Sequence, residues 1–112
     1  MWIMIAGPYT SGARSEAERA ANLRAMNAAA YRVFQLGHTP VIGVNMALPV
    51  IDAAGMQTHD ELMMPISLAL AARCDAVLRI GGASKGADEE VAVIRANGGT
   101  VFTSIHDVPP TR

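Results

Sequence analysis

Two short apolar runs, Trp2-Ile3-Met4-Ile5-Ala6 and Ala76-Val77-Leu78-Arg79-Ile80, each stop at a glycine-containing loop, and each loop leads into a helical pattern. The first, short and continuously apolar, is what a strand looks like when both faces of its sheet are covered. The first ends at Gly7-Pro8 and the second at Gly81-Gly82. After the loop Tyr9 to Arg14, Ser15-Glu16-Ala17-Glu18 is a capping box, and an alanine-rich helix follows to Leu36, with Gly37 as its stop. Thr39 to Gly43 is expected as the second strand. Val44 to Gln57, broken by Pro49 and Gly55, reads as irregular chain, a flap over a site. His59 to Arg73 is expected as the second helix, Asp75 to Ile80 as the third strand, Gly86 to Asn97 as the third helix and Thr100 to Ser104 as the fourth strand. Strand and helix alternate throughout. The pattern therefore predicts a single α/β domain over residues 1–112: a small doubly wound parallel sheet of four to five strands, Rossmann/flavodoxin-like, order 2-1-3-4, with helices on both faces.

Composition narrows the function classes. A chain that is 51% hydrophobic and 17% charged is not disordered, and with 4% aromatics its core is built from aliphatic residues. A net charge of -1 lacks the basic excess of a nucleic-acid-binding domain. No apolar run reaches the length of a membrane span, and Met1 to Ala6 has no basic start or signal-peptide length. Cys74 is the single cysteine, so no internal disulfide forms and a reducing cytoplasm is the expected location. His38, His59 and His106 lie on separate segments without ligand spacing, so neither a metal nor another cofactor is expected. The second helix is apolar on nearly all sides (Leu62, Met63, Met64, Ile66, Leu68, Leu70). That is more than one sheet face buries, which points to a homodimer or higher homo-oligomer. Met46, Met56, Met63 and Met64 fit a core or a subunit contact.

In the predicted topology, strands one and three are central neighbours and the order reverses between them. Ligands bind at such a switch point, beyond the carboxyl ends of the strands. The loops that meet there are Gly7-Pro8-Tyr9 and Gly81-Gly82-Ala83-Ser84-Lys85-Gly86. The second opens a helix, whose free N–H groups and positive dipole end suit a phosphate. Ser84 is either the cap of that helix or a hydroxyl donor to a ligand phosphate beside the N–H groups of Lys85 to Ala87. Glu90, six residues after Ser84, faces the same crevice. Asp88, Glu89 and Glu90 are also simply acids in a first helical turn, so spacing alone does not separate them. Tyr9 either packs as a lid or orients a carboxylate through its phenol.

Ile5-Ala6-Gly7-Pro8-Tyr9, Cys74-Asp75-Ala76-Val77 and Ser84-x-Gly86-Ala87-x-x-Glu90 together resemble the nucleoside 2-deoxyribosyltransferase superfamily, in particular its small DUF4406-type branch and the nucleotide N-glycosidases. The resemblance runs over nearly the whole chain with the motifs in order. It implies Glu90 as nucleophile on the anomeric carbon of a sugar, Tyr9 as its orienter, and Gly7, Ser84, Gly86 and Ala87 as substrate-binding positions. It also implies a homo-oligomer in which a neighbouring subunit helps to close the site. Transferases of this kind carry an aspartate at the position of Ser84, where it accepts a hydrogen bond from a free 5′-hydroxyl. The nucleotide hydrolases carry a serine, which can donate to a 5′-phosphate. One position departs: the superfamily usually has an acid/base aspartate eight residues before the position of Asp75, where this chain has Ser67. Asp60 and Asp88 are the candidates to take its place. The expected activity is hydrolysis of the N-glycosidic bond of a nucleoside 5′-monophosphate. The alternatives are a nucleoside 2-deoxyribosyltransferase and a non-catalytic nucleotide-binding module.

Overall fold

The computed structural model describes residues 1–111. Four strands form one all-parallel sheet in the order β2-β1-β3-β4. In chain order the elements are β1 (Trp2–Ala6), α1 (Glu16–Gln35), β2 (Thr39–Val41), α2 (Gly43–Ala54), α3 (His59–Ala71), β3 (Ala76–Arg79), α4 (Lys85–Ala96) and β4 (Thr100–Phe102), with 3₁₀ turns at Met56–Thr58 and Ile105–Asp107. The fold is the α/β, Rossmann/flavodoxin-like one expected, with four strands. No helix among the described residues is long and apolar enough to cross a membrane.

Alternation along the central strands divides the core between two helical layers. Ile3 and Ile5 of β1 and Ala76 and Leu78 of β3 pack with Met26 and Val33 of α1 on one face. Met4, Ala6 and Val77 pack with Ala71 of α3 and Ala87, Val91 and Ile94 of α4 on the other. Ser15 caps α1, its Oγ accepting from Glu18 N–H at 3.1 Å, while the Glu18 carboxylate reaches back to Arg14 N–H at 3.2 Å. At the amino ends of the strands, Asp75 Oδ2 accepts from Trp2 N–H at 2.8 Å and its main chain joins Trp2 and Thr100. Asp75 thus ties the sheet together at the edge opposite the crevice.

The largest difference from the sequence reading is α2. The segment expected to be an irregular flap is a helix of 12 residues followed by a short 3₁₀ turn. Pro49 removes one intrahelical donor, which usually disfavours a helix, but it lies on the exposed side. Burial of Ala47 and Ile51, with Val44 and Leu48, against Met63, Leu62 and Ile66 of α3 outweighs the loss. The same packing answers the excess apolar surface of α3: within the chain, α2 covers the face that the sheet does not. The strands are also shorter than expected, β2 ending at Val41, β3 at Arg79 and β4 at Phe102.

Ile94 is fully buried and holds α4 on the sheet. Truncating such a side chain costs about 2–5 kcal/mol in transfer and cavity terms. Ile94→Ala is therefore expected to lower the urea midpoint of unfolding by that equivalent with an unchanged slope; a midpoint like that of the parent protein would show that α4 is not anchored there.

Candidate functional site

Register sets the crevice. Ala6 pairs with Arg79 at the carboxyl ends of β1 and β3, so the chain leaves both strands side by side. The two loops approach so closely that a Cβ on Gly7 would lie 2.9 Å from Ile80 Cγ1 and 3.2 Å from the Ile80 carbonyl oxygen. Gly81 turns the second loop at a φ of 74°, a left-handed conformation that glycine adopts at little cost. Arg79 pins that loop from below, donating to the carbonyls of Ile80 and Gly82 and, through Nε, to Asp88 Oδ1 at 3.2 Å. The first loop is held to α1 by Asn22 Nδ2, which donates to the Tyr9 carbonyl at 2.9 Å.

Between the loops, α2, α3 and α4 lies an inner chamber of about 80 Å³. Gly7, Tyr9, Ser84, Gly86, Ala87 and Glu90 all line it, so six of the positions singled out in the sequence come together. Asp60 and Asp88 are not among its lining residues. Asp60 is fully exposed at the start of α3, and Asp88 is engaged by Arg79. A wider opening of about 330 Å³ adjoins the chamber, sharing Thr10, Ser11, His59, Met63, Met64 and Gly86 and adding Asp60, Lys85 and Glu89. The chamber suits a sugar ring, and a group of nucleobase or phosphate size needs the opening as well.

Ser84 is buried and caps α4, its Oγ accepting from Ala87 N–H at 3.2 Å. The cap uses the oxygen as acceptor and leaves the hydroxyl proton free to donate. The N–H groups of Lys85 and Gly86 precede the capped one and point out of the first helical turn. Capping and anion binding are therefore compatible at this residue.

Glu90 is 8% exposed, and among the described residues no group hydrogen-bonds its carboxyl. Burial pushes its pKa up to about 8, against a smaller downward pull from the Arg79 guanidinium. α2 supplies the third side of this pocket. A Cβ on Gly43 would overlap Ser67 Oγ and come within 3.1 Å of Glu90 Oε2, so the amino end of α2 lies against the carboxyl. A positive helix end there favours the ionised form, in the same sense as Arg79. Ser67 is buried beside it. Cys74 is a thiol, with a pKa raised to about 11 by burial, then by the charges of Asp75 and Glu90. No cluster of three or more His, Cys, Asp or Glu that would hold a metal occurs among the described residues.

Two residues at the site were not legible as such. Gly43 was expected as the last residue of the second strand and carries no side chain to notice; as the first residue of α2 it lies against the carboxyl. His59 looked chiefly like a helix start, and its placement on the chamber wall depends on the path of α3 beside α2.

No family model, no curated protein and no solved structure matches the chain.

The buried carboxyl makes stability depend on pH. The unfolded chain releases the Glu90 proton near 4.5, whereas the folded protein keeps it to about 8. The proton's stabilisation is thus complete below the lower value and is lost as pH rises through the higher one, by up to a few kcal/mol. In thermal unfolding from pH 5 to 8, Glu90→Gln is expected to flatten the fall in Tm and to be the more stable protein at pH 8. Parallel curves for the two proteins would contradict the assignment of that proton to Glu90.

Proposed function

We propose that this chain is an N-glycosidase acting on nucleoside 5′-monophosphates, built like the nucleoside 2-deoxyribosyltransferase superfamily that it resembles. The observation that carries the reading is Glu90: a buried carboxyl without a hydrogen bond among the described residues, on the floor of a small chamber, about one and a half turns from the amino end of α4. Six residues of α4 separate Ser84 from Glu90, an axial rise of about 9 Å. A ribose 5-phosphate fills that span when its phosphate hydrogen-bonds at the helix end and its anomeric carbon meets the carboxylate.

In this reading the Ser84 hydroxyl and the N–H groups of Lys85 and Gly86 hold the phosphate. Tyr9, fixed through its carbonyl to Asn22, orients the Glu90 carboxylate. Breaking the N-glycosidic bond builds positive charge on the anomeric carbon, which the carboxylate stabilises and then captures. The positive charge of the reacting sugar also draws Glu90 towards its ionised form, so that burial costs least at the moment of reaction. Water releases the sugar, and a second base in place of water gives the transferase reaction.

The reading includes a homo-oligomer. Tyr31 and Phe34 of α1 are exposed, as are Met46 and Val50 of α2 and Met56 after it. Asn45 Nδ2 donates to Asn27 Oδ1 at 2.7 Å, which draws the first turn of α2 against α1 and these surfaces towards each other. An apolar surface of this kind suits a second copy. Sedimentation at micromolar concentration is expected to give a dimer or larger, and Phe34→Asp a smaller species; a monomeric parent protein contradicts this part.

A binding module without turnover is the second reading, favoured by Ser67, which cannot serve as an acid near neutral pH. Hydrolysis of a nucleoside monophosphate panel separates the two. Glu90→Ala is expected to lower kcat by about 10³-fold or more while retaining ligand-induced thermal stabilisation. Ser84→Asp is expected to shift preference from the monophosphate to the nucleoside, because a carboxylate repels phosphate. Turnover indifferent to Glu90→Ala excludes the nucleophile, and stabilisation without product in the parent protein selects the binding module.

A further inference from the structure

Departure of a nucleobase calls for a proton, and the proposed chemistry so far assigns none. Ser67 is a hydroxyl, Asp60 is fully exposed, and Asp88 is held by Arg79 outside the chamber. Besides Tyr9 and Glu90, the one chamber-lining side chain among the described residues that gains and loses protons in water is His59. His59, Met63 and Ser67 are spaced four residues apart on α3 and all line the chamber, so they form one stripe along its wall. Ser67 is buried at the deep end, and His59, with 34% of its side chain exposed, stands where the chamber meets the wider opening. Its Nδ1 lies 3.3 Å from Asp60 Oδ1. That contact takes up one ring nitrogen and leaves Nε2 for a ligand.

We propose that His59 is the catalytic acid-base residue of this site, with Asp60 as the positioning residue that holds its Nδ1–H. The inference rests on the N-glycosidase reading above. Imidazole suits the task because it exchanges a proton near neutral pH and, unlike a serine hydroxyl, does so at low cost. As a Glu90 oxygen bonds to the anomeric carbon, the carbon–nitrogen bond breaks and its electron pair stays with the base, which takes the Nε2 proton. Water then attacks the anomeric carbon and gives its proton to Nε2, and Glu90 leaves as a carboxylate. The sum is one water added across the N-glycosidic bond, with both residues returned to their starting forms. The charged groups around the ring are Asp60 on its own helix, Lys85 and Glu89 of α4 across the opening, and Glu90 on the chamber floor.

The test compares two leaving groups. The nucleoside monophosphate cleaved fastest by the parent protein needs a proton on its base, whereas 4-nitrophenyl ribofuranoside 5-phosphate releases a phenolate that needs none. His59→Gln is expected to lose about 10²-fold or more on the nucleotide and at least tenfold less on the nitrophenyl substrate. Asp60→Asn should give the same pattern, smaller. Equal losses on both substrates, or none on either, overturn the role of His59 while Glu90→Ala still abolishes both reactions. A parent protein that cleaves neither substrate removes the glycosidase reading and this inference with it.

Discussion

Ala6 and Arg79 stand side by side where β1 and β3 end, and their parallel pairing decides which loops share a crevice. Because β2 lies beyond β1 and β4 beyond β3, the chain runs away from this point in both directions and leaves a gap between the two loops. Gly7 and Gly81 let the loops pass almost in contact, and Arg79, the last residue of β3, reaches up to fasten the second one. The amino end of α4 and the Tyr9 loop are therefore neighbours by topology. α3 and α4, packed on one face of the sheet, and α2, packed on α3, then enclose the space below.

That enclosure has an electrostatic consequence. A carboxyl buried without a hydrogen-bond partner costs several kcal/mol when ionised, and the protein meets the cost by keeping Glu90 protonated up to about pH 8. Arg79 and the amino end of α2 pull the other way without overcoming burial. A group held this close to its ionisation point, in a cavity, is typical of reactive positions. In the proposed reaction the same arrangement would tie stability to function: the burial that would raise the carboxyl's reactivity towards a cationic centre also lowers the stability of the protein at high pH. Gly43 shows how tightly the balance is built, since one added methyl group would collide with Ser67 and crowd the carboxyl.

Much of this was readable from residue pattern alone, for identifiable reasons. β1 is a continuous apolar run and β3 a largely apolar one, each followed by a glycine loop, α1 has a side-chain cap within four residues, and α4 follows a small-residue loop, so local chemistry and global fold agree at each. Glu90 stood out from Asp88 and Glu89 only through the resemblance. In the structure it is the buried one of the three, with Asp88 turned to Arg79 and Glu89 at the outer opening. α2 was not readable because its helix depends on contacts with α3, which lies after it in the chain, while Pro49 and Gly55 argue locally for a break. Missing α2 hid Gly43 and assigned the apolar excess of α3 to another subunit. His59 was obscured for a related reason: a residue at a helix start shows its direction only when the packing of that helix is known.

The central claim is that the Glu90 carboxylate bonds to the anomeric carbon of a phosphorylated sugar. Intact-protein and peptide mass spectrometry after incubation with a 2′-deoxy-2′-fluoro nucleoside 5′-monophosphate tests it, because fluorine slows release of the sugar and lets the ester accumulate. The account predicts a mass increase of one fluorinated pentosyl phosphate, confined to the peptide that contains Glu90 and absent from Glu90→Gln. Release of free base with no adduct on that peptide, or an adduct that persists in Glu90→Gln, would contradict it.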